Sequence, residues 1–259
     1  MRRLSFLFFY INVLLFSSFS QPVTLPDEAK PFLLKDHEVL DYVIGDLNTD
    51  KRADAILILK PLGEDSAFDK EPLRPFLILI RESNGKLKQV LRNDRVVMCR
   101  QCGGVFGDPY QETTISNNGF RISFYGGSSW RWAYQYEFVY RPARNNWYLV
   151  LETQSSFHSV DPERTEKETK IKESELGEIS IAGFNSQQNY EDSRWKVIVA
   201  KTFFYNSPDA STQPRKAYLL KGNIATGIRQ LKNFIEVNFD NGQSITTGYI
   251  LRKHLEKLE

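Results

Sequence analysis

The sequence predicts a mainly β protein, an antiparallel meander followed by a second, smaller β unit. Three observations carry that expectation. Short apolar runs are separated by tight-turn pairs such as Asn84-Gly85, Asn118-Gly119 and Asn241-Gly242, which supply positive φ. One long run, Trp130 to Tyr140, places an aromatic at every second position, the period of a strand. A charged, aromatic-poor segment, Val160 to Gly177, interrupts the β-rich chain and divides it in two. Successive hairpins at short spacing exclude βαβ units.

Composition sets the outer limits. The chain has 259 residues, 41% hydrophobic and 13% aromatic, enough for a sizeable core and far from the signature of disorder. Arg2 and Arg3 account for the whole formal excess of +2, so the rest is charge-balanced. Nothing there favours nucleic acid or an anionic membrane as a partner. Residues 1–20 read as a signal peptide: two arginines, an apolar stretch from Leu4 to Phe16, then Ser18-Phe19-Ser20. An uncleaved anchor is the alternative, although a span needs about 20 predominantly apolar residues. The expectation is an exported protein, periplasmic or extracellular, with no membrane span after processing.

The elements follow in order. Residues 21–36, with Pro22, Pro26 and Pro31, form an extended lead-in, and residues 37–159 an antiparallel β domain. It opens with a strand over His37–Ile44, an acidic loop, and the apolar strand Ala55–Lys60. Pro61 to Pro75 reads as a loop. Three hairpins come next: Arg74–Arg81 with Lys86–Arg92, Glu112–Ser116 with Phe120–Tyr125, and Trp130–Tyr140 with Trp147–Thr153. Residues 160–193 are a charged connector, either a solvated helix or a linker, with a short strand at Glu178–Ala182 that fits either side. Residues 194–259 hold the second β unit.

The acidic loop points to a specific chemistry. Asp46, Asn48, Asp50 and Asp54 put oxygens at alternating positions of a tight turn, and the Arg52 carbonyl adds another. Hard oxygens converging in this way suit Ca²⁺. The alternative is a turn in which Asx side chains cap the backbone without metal. The stretch Gly45 to Lys60 resembles the FG-GAP/VCBS type of calcium loop, D-x-N-x-D-G-x-x-D between two strands of a propeller blade. Lys51 stands where that type has glycine, and Leu57 rather than an acid at the twelfth position argues against an EF-hand. The pattern occurs once, and a propeller needs several blades. The expected role of the ion is therefore to brace a hairpin.

Cys99 and Cys102 are the only cysteines. In an oxidising compartment such a pair forms a local disulfide. A redox pair lacks its βαβ frame, and zinc would need two ligands from His37, His158 or His254, whose spacing does not support it. Gly103, Gly104, Gly107 and Pro109 read as a structured turn and not as a phosphate loop. In the stripe Trp130, Trp132, Tyr134, Tyr136, Phe138, Tyr140 the plain reading is a core-facing surface. The sharper one has Trp130 and Trp132 partly exposed, stacking on a sugar ring or a partner's side chain.

From Arg194 the chain is similar to bacterial Src-homology-3-like domains. The matching pieces are Phe203-Phe204-Tyr205, Asn206-Ser207-Pro208, Ala217 to Gly222, Phe234 to Phe239, Asn241-Gly242, Thr247-Gly248-Tyr249-Ile250 and Leu255. Tyr249 replaces the tryptophan usual in the family. The expected fold class is thus an antiparallel β-meander domain with one calcium-loop hairpin, followed by a small Src-homology-3-like β-barrel. The resemblance implies a module that contacts peptidoglycan or an envelope protein, or a barrel that only packs on its neighbour. No catalytic set stands out, and the expectation is a non-catalytic binding or adaptor protein. A purely structural envelope protein is the alternative. A cell-wall hydrolase would need Cys99 or Cys102 with His158 as base.

Overall fold

The computed structural model describes residues 24–64, 72–116, 118–186 and 193–258, so the signal-type segment 1–20 lies outside them. Strands β1 (His37–Gly45), β2 (Asp54–Pro61), β3 (Arg74–Arg81) and β4 (Leu87–Val97) form an antiparallel sheet in that order. The middle strands are unbroken apolar runs, the signature of strands buried on both faces. Ile56, Ile58, Phe76 and Ile78 turn inward to the central core. Ala55, Leu57, Leu59, Leu77 and Leu79 turn outward beneath Leu25, Phe32 and Leu34. The described part of the lead-in is therefore not extended: it is a turn and a 3-10 helix, Lys30–Phe32, lying over that outer face. Exposing the four leucines among them would cost about 1.5–3 kcal/mol each.

The second sheet holds β5 (Tyr110–Ser116), β6 (Gly119–Gly127), β7 (Trp130–Arg141), β8 (Asn146–His158) and β9 (Lys167–Lys172), again in sequence order. Both hairpins expected here form, with Phe120 opposite Phe138 and Phe138 opposite Leu149. Gly119 is required by close approach, because a Cβ there would lie 2.0 Å from the Phe138 carbonyl oxygen.

The charged connector is neither a helix nor a linker over its length. Helical turns α1 (Pro162–Thr165) and α2 (Glu173–Leu176) flank β9, which pairs with β8 from Leu151↔Lys172 to Ser156↔Lys167. Ile171 is fully buried and anchors the strand, while its charged neighbours face solvent and blunt the edge. The segment around Ser180 joins the same sheet through Leu149 N–H to Ile179 O (2.9 Å) and Ile181 N–H to Trp147 O (2.8 Å).

The second unit contains β10 (Ser193–Val197), β11 (Lys201–Phe203), β12 (Tyr218–Leu220), β13 (Ile224–Gln230), β14 (Phe234–Asp240), β15 (Ile245–Leu251) and β16 (Leu255–Lys257). Five of them form an antiparallel sheet, β15-β14-β13-β10-β16, and β11-β12 form a separate ribbon. The expected first strand is thus split in two at 198–200, and no closed barrel is found among the described residues. Trp195, Val197, Phe204, Leu219, Ile235, Val237 and Ile250 make this unit's own core. Leu231, Phe234 and Tyr249 leave it and join the central core of the first unit, so the two units are packed together. No helix among the described residues is long and apolar enough to cross a membrane.

Candidate cation loop and inter-unit cleft

The acidic loop connects β1 to β2. Asp46, Asp50 and Asp54 each bring one carboxylate oxygen to within 4.8 Å of the others. Ligands at 2.3–2.6 Å from one Ca²⁺ lie at most about 5.2 Å apart, so this spacing suits a shared ion. The backbone turns sharply because Thr49 (φ 66°) and Lys51 (φ 63°) adopt left-handed conformations. Asp46 stabilises that turn by accepting from Asn48 N–H (3.2 Å), Thr49 N–H (2.7 Å) and Lys51 N–H (2.8 Å).

Asn48 and Arg52 take other roles in this geometry. The Asn48 amide donates to Asp50 Oδ2 (3.1 Å) and accepts from Asp50 N–H (3.0 Å). The Arg52 carbonyl accepts from Asp54 N–H at 3.2 Å, and its guanidinium pairs with Asp50 at 2.6 Å. Burial raises the Asp50 carboxyl, but the hydrogen bonds from Arg52 and Asn48 outweigh it and leave the group below its ordinary value. Asp54 is fully buried, accepting from Leu47 N–H (3.0 Å) and Arg81 N–H (2.9 Å). Burial holds its carboxyl above the ordinary value, and the charges of Asp50 and Asp46 add to the rise. Trp147 Nε1–H to Leu47 O (2.9 Å) ties the loop to the second sheet.

Cys99 and Cys102 form a disulfide across the 3-10 turn Arg100–Gly103. Both sulfurs are joined, so neither offers a thiolate to zinc or to His158. A network invisible in the sequence anchors this turn. The buried Arg74 guanidinium pairs bidentately with Glu64 (2.8 and 2.8 Å) and Asp108 (2.8 and 2.6 Å), and donates to Met98 O at 3.0 Å.

The aromatic stripe runs through three environments. Tyr136 and Phe138 lie in the core, with Phe138 stacked on Phe120 at 4.9 Å. Trp130 is 53% exposed and meets His158 edge-on at 5.1 Å. Between them Trp132 and Tyr134, 5.2 Å apart, wall a cleft of about 290 Å³ between the two units. Trp132 can sit there because Gly126 lies opposite it in register; a Cβ on Gly126 would stand 2.5 Å from the indole.

Tyr205 and Tyr249 line the opposite side of the cleft, with Glu236 beside Tyr249 across the β14–β15 pair. Burial raises the Glu236 carboxyl, partly countered by the Arg229 charge. Deeper in, Arg229 and the buried Glu152 form a bidentate pair between units, and Gln154 donates to Glu152 Oε1 at 2.6 Å. Of the two tryptophans singled out in the sequence, the structure assigns Trp132 to the cleft and leaves Trp130 outside its lining. A larger depression of about 990 Å³ lies beside α2 and β16, where Lys232, Lys253 and Lys257 surround Trp195 and Phe234.

Comparison with known proteins returns no matching family model, no matching curated protein and no matching solved structure.

Proposed function

We propose that this chain is an exported, non-catalytic binding or adaptor protein of the cell envelope, braced by Ca²⁺ and contacting peptidoglycan or an envelope protein. The observation that carries the reading is the convergence of Asp46, Asp50 and Asp54 on a loop bonded to both sheets of the first unit. An ion there would draw on carboxylate oxygens already aligned by backbone amides and would replace the Arg52 guanidinium as the counter-charge of Asp50. The second unit is read as a Src-homology-3-like module. Its support is the order β15-β14-β13-β10-β16, the long excursion carrying β11-β12, and the 3-10 turn Arg252–His254 before β16.

Calorimetric titration with CaCl₂ and melting in calcium or chelator test the metal. Calcium at 100 times its Kd should add about 2.7 kcal/mol of stability, and Asp50→Ala should abolish the gain. Melting of the unaltered protein that ignores both calcium and chelator would defeat the reading. Retention on purified cell wall tests the envelope contact. The second reading, a purely structural envelope protein, is favoured by the loop's internal hydrogen bonds, which hold its shape with side chains alone. It predicts the indifferent melting curve.

A further inference from the structure

The inter-unit cleft has a lining whose chemistry selects among ligands, and we infer that it binds a short saccharide, neutral or N-acetylated, between Trp132 and Tyr134 on one wall and Tyr205 on the other, where the largely buried Tyr249 backs it. The inference rests on the binding-protein reading above and deepens it. At about 290 Å³, at the junction of two units, the cleft has the size and place of a small-ligand site.

No Val, Leu, Ile or Met is among the residues lining it, so the large apolar groups it offers are aromatic rings. A lipid chain or an apolar peptide side chain would find no matching pocket. A peptide added as a strand is also excluded on the β15 side. There Tyr205 and Tyr249 already exchange backbone hydrogen bonds (2.8 and 3.1 Å), and Arg215 Nη1–H is bonded to Thr247 O at 2.6 Å. Aromatic faces carry negative potential and accept the C–H-rich face of a pyranose.

The remaining lining suits hydroxyls. Gln154, Ser156, Thr169 and Asn206 are neutral groups that donate and accept, as sugar hydroxyls do, and the Thr247 hydroxyl, which already donates to Asn238 (2.6 Å), adds an acceptor. Glu236 adds a carboxyl acceptor near the Tyr249 ring, while Lys167 and Arg215 disfavour a cationic ligand. The walls are held in advance: Trp132 by the space at Gly126, and the far wall by the Arg229–Glu152 pair. Preorganisation of this kind lowers the cost of binding.

The test is calorimetric titration of the full mature chain with N,N′-diacetylchitobiose, cellobiose and tetra-alanine. Saturable binding of at least one disaccharide and none of the peptide is expected. Trp132→Ala should weaken it at least tenfold and the exposed-rim variant Asn206→Ala several-fold, while Trp130→Ala leaves it unchanged. Asn206→Ala keeps the test decisive if Trp132→Ala does not fold. Binding of neither sugar, binding of the peptide instead, or affinity unchanged from the unaltered protein in folded Trp132→Ala or in Asn206→Ala overturns the proposal. Asp50→Ala separates the two claims. A protein that binds sugar but ignores calcium refutes only the metal brace, and one that responds to calcium but binds no sugar refutes only the cleft.

Discussion

Lys51 concentrates the tension in the cation loop. Its φ of 63° is a left-handed conformation that side chains other than glycine adopt at a cost, and it stands exposed on the loop that carries Asp46, Asp50 and Asp54. Lys51→Gly should raise stability by up to about 1 kcal/mol, read from urea midpoints, and should also tighten calcium binding. Glu236 makes a second residue-scale prediction. Its native carboxyl titrates above the ordinary value because it is buried, whereas the unfolded chain titrates near about 4.3. As pH rises through that window the unfolded chain loses its proton first. The native state then binds more protons, so this group's contribution to stability falls with rising pH. The stability of the unaltered protein relative to Glu236→Gln should therefore decline as pH rises from about 4 and level off above the raised value. A difference that rises with pH would contradict the burial argument. The strain at Lys51 is legible in the sequence, because it stands where that type of loop has glycine, whereas nothing in the text around Glu236 marks it.

At the scale of elements, the turn at Cys99–Cys102 is held twice, by its disulfide and by the Arg74 network. The disulfide closes a very short loop, so losing the bond should cost about 2 kcal/mol in chain entropy, and replacing both cysteines with serine should cost more, because Cys99 is fully buried and a serine there buries a hydroxyl. Thiol titration of the native protein should find no reactive sulfur. Strand β9 is the element that the charged segment conceals. Its only fully buried residue is Ile171, and a strand that shows one apolar side chain among Lys167, Glu168, Lys170 and Lys172 has too little alternation to be seen. The hairpins, by contrast, were legible because Asn-Gly turns and long period-two runs report local geometry. Their strands begin within two residues of the expected places, but β4 and β8 each run five residues further than expected, to Val97 and His158.

At the scale of the whole molecule, the junction between the units is the decisive feature. Glu152 and Arg229, with Leu231, Phe234 and Tyr249, make the second unit part of the first unit's core. Glu152→Ala strands a largely buried guanidinium and should cost about 3–5 kcal/mol. It should also split one melting transition into two as the units uncouple. Glu152→Met combined with Arg229→Leu should cost far less, because it removes both charges together. A single, unshifted transition in Glu152→Ala would show that the units are joined by packing alone. The cleft depends on this junction, since its two walls lie on different units.

By itself, the sequence determined the β class, the hairpins, the pairing of the two cysteines and the set of acids at one loop. All of these follow from spacing over a few residues. Only the tertiary structure decided that the lead-in covers a sheet, that the charged segment donates an edge strand, and that Trp132 rather than Trp130 faces a cleft. Those outcomes depend on burial against distant parts of the chain, where a side chain's surroundings are set by its neighbours in space and leave no period in the text.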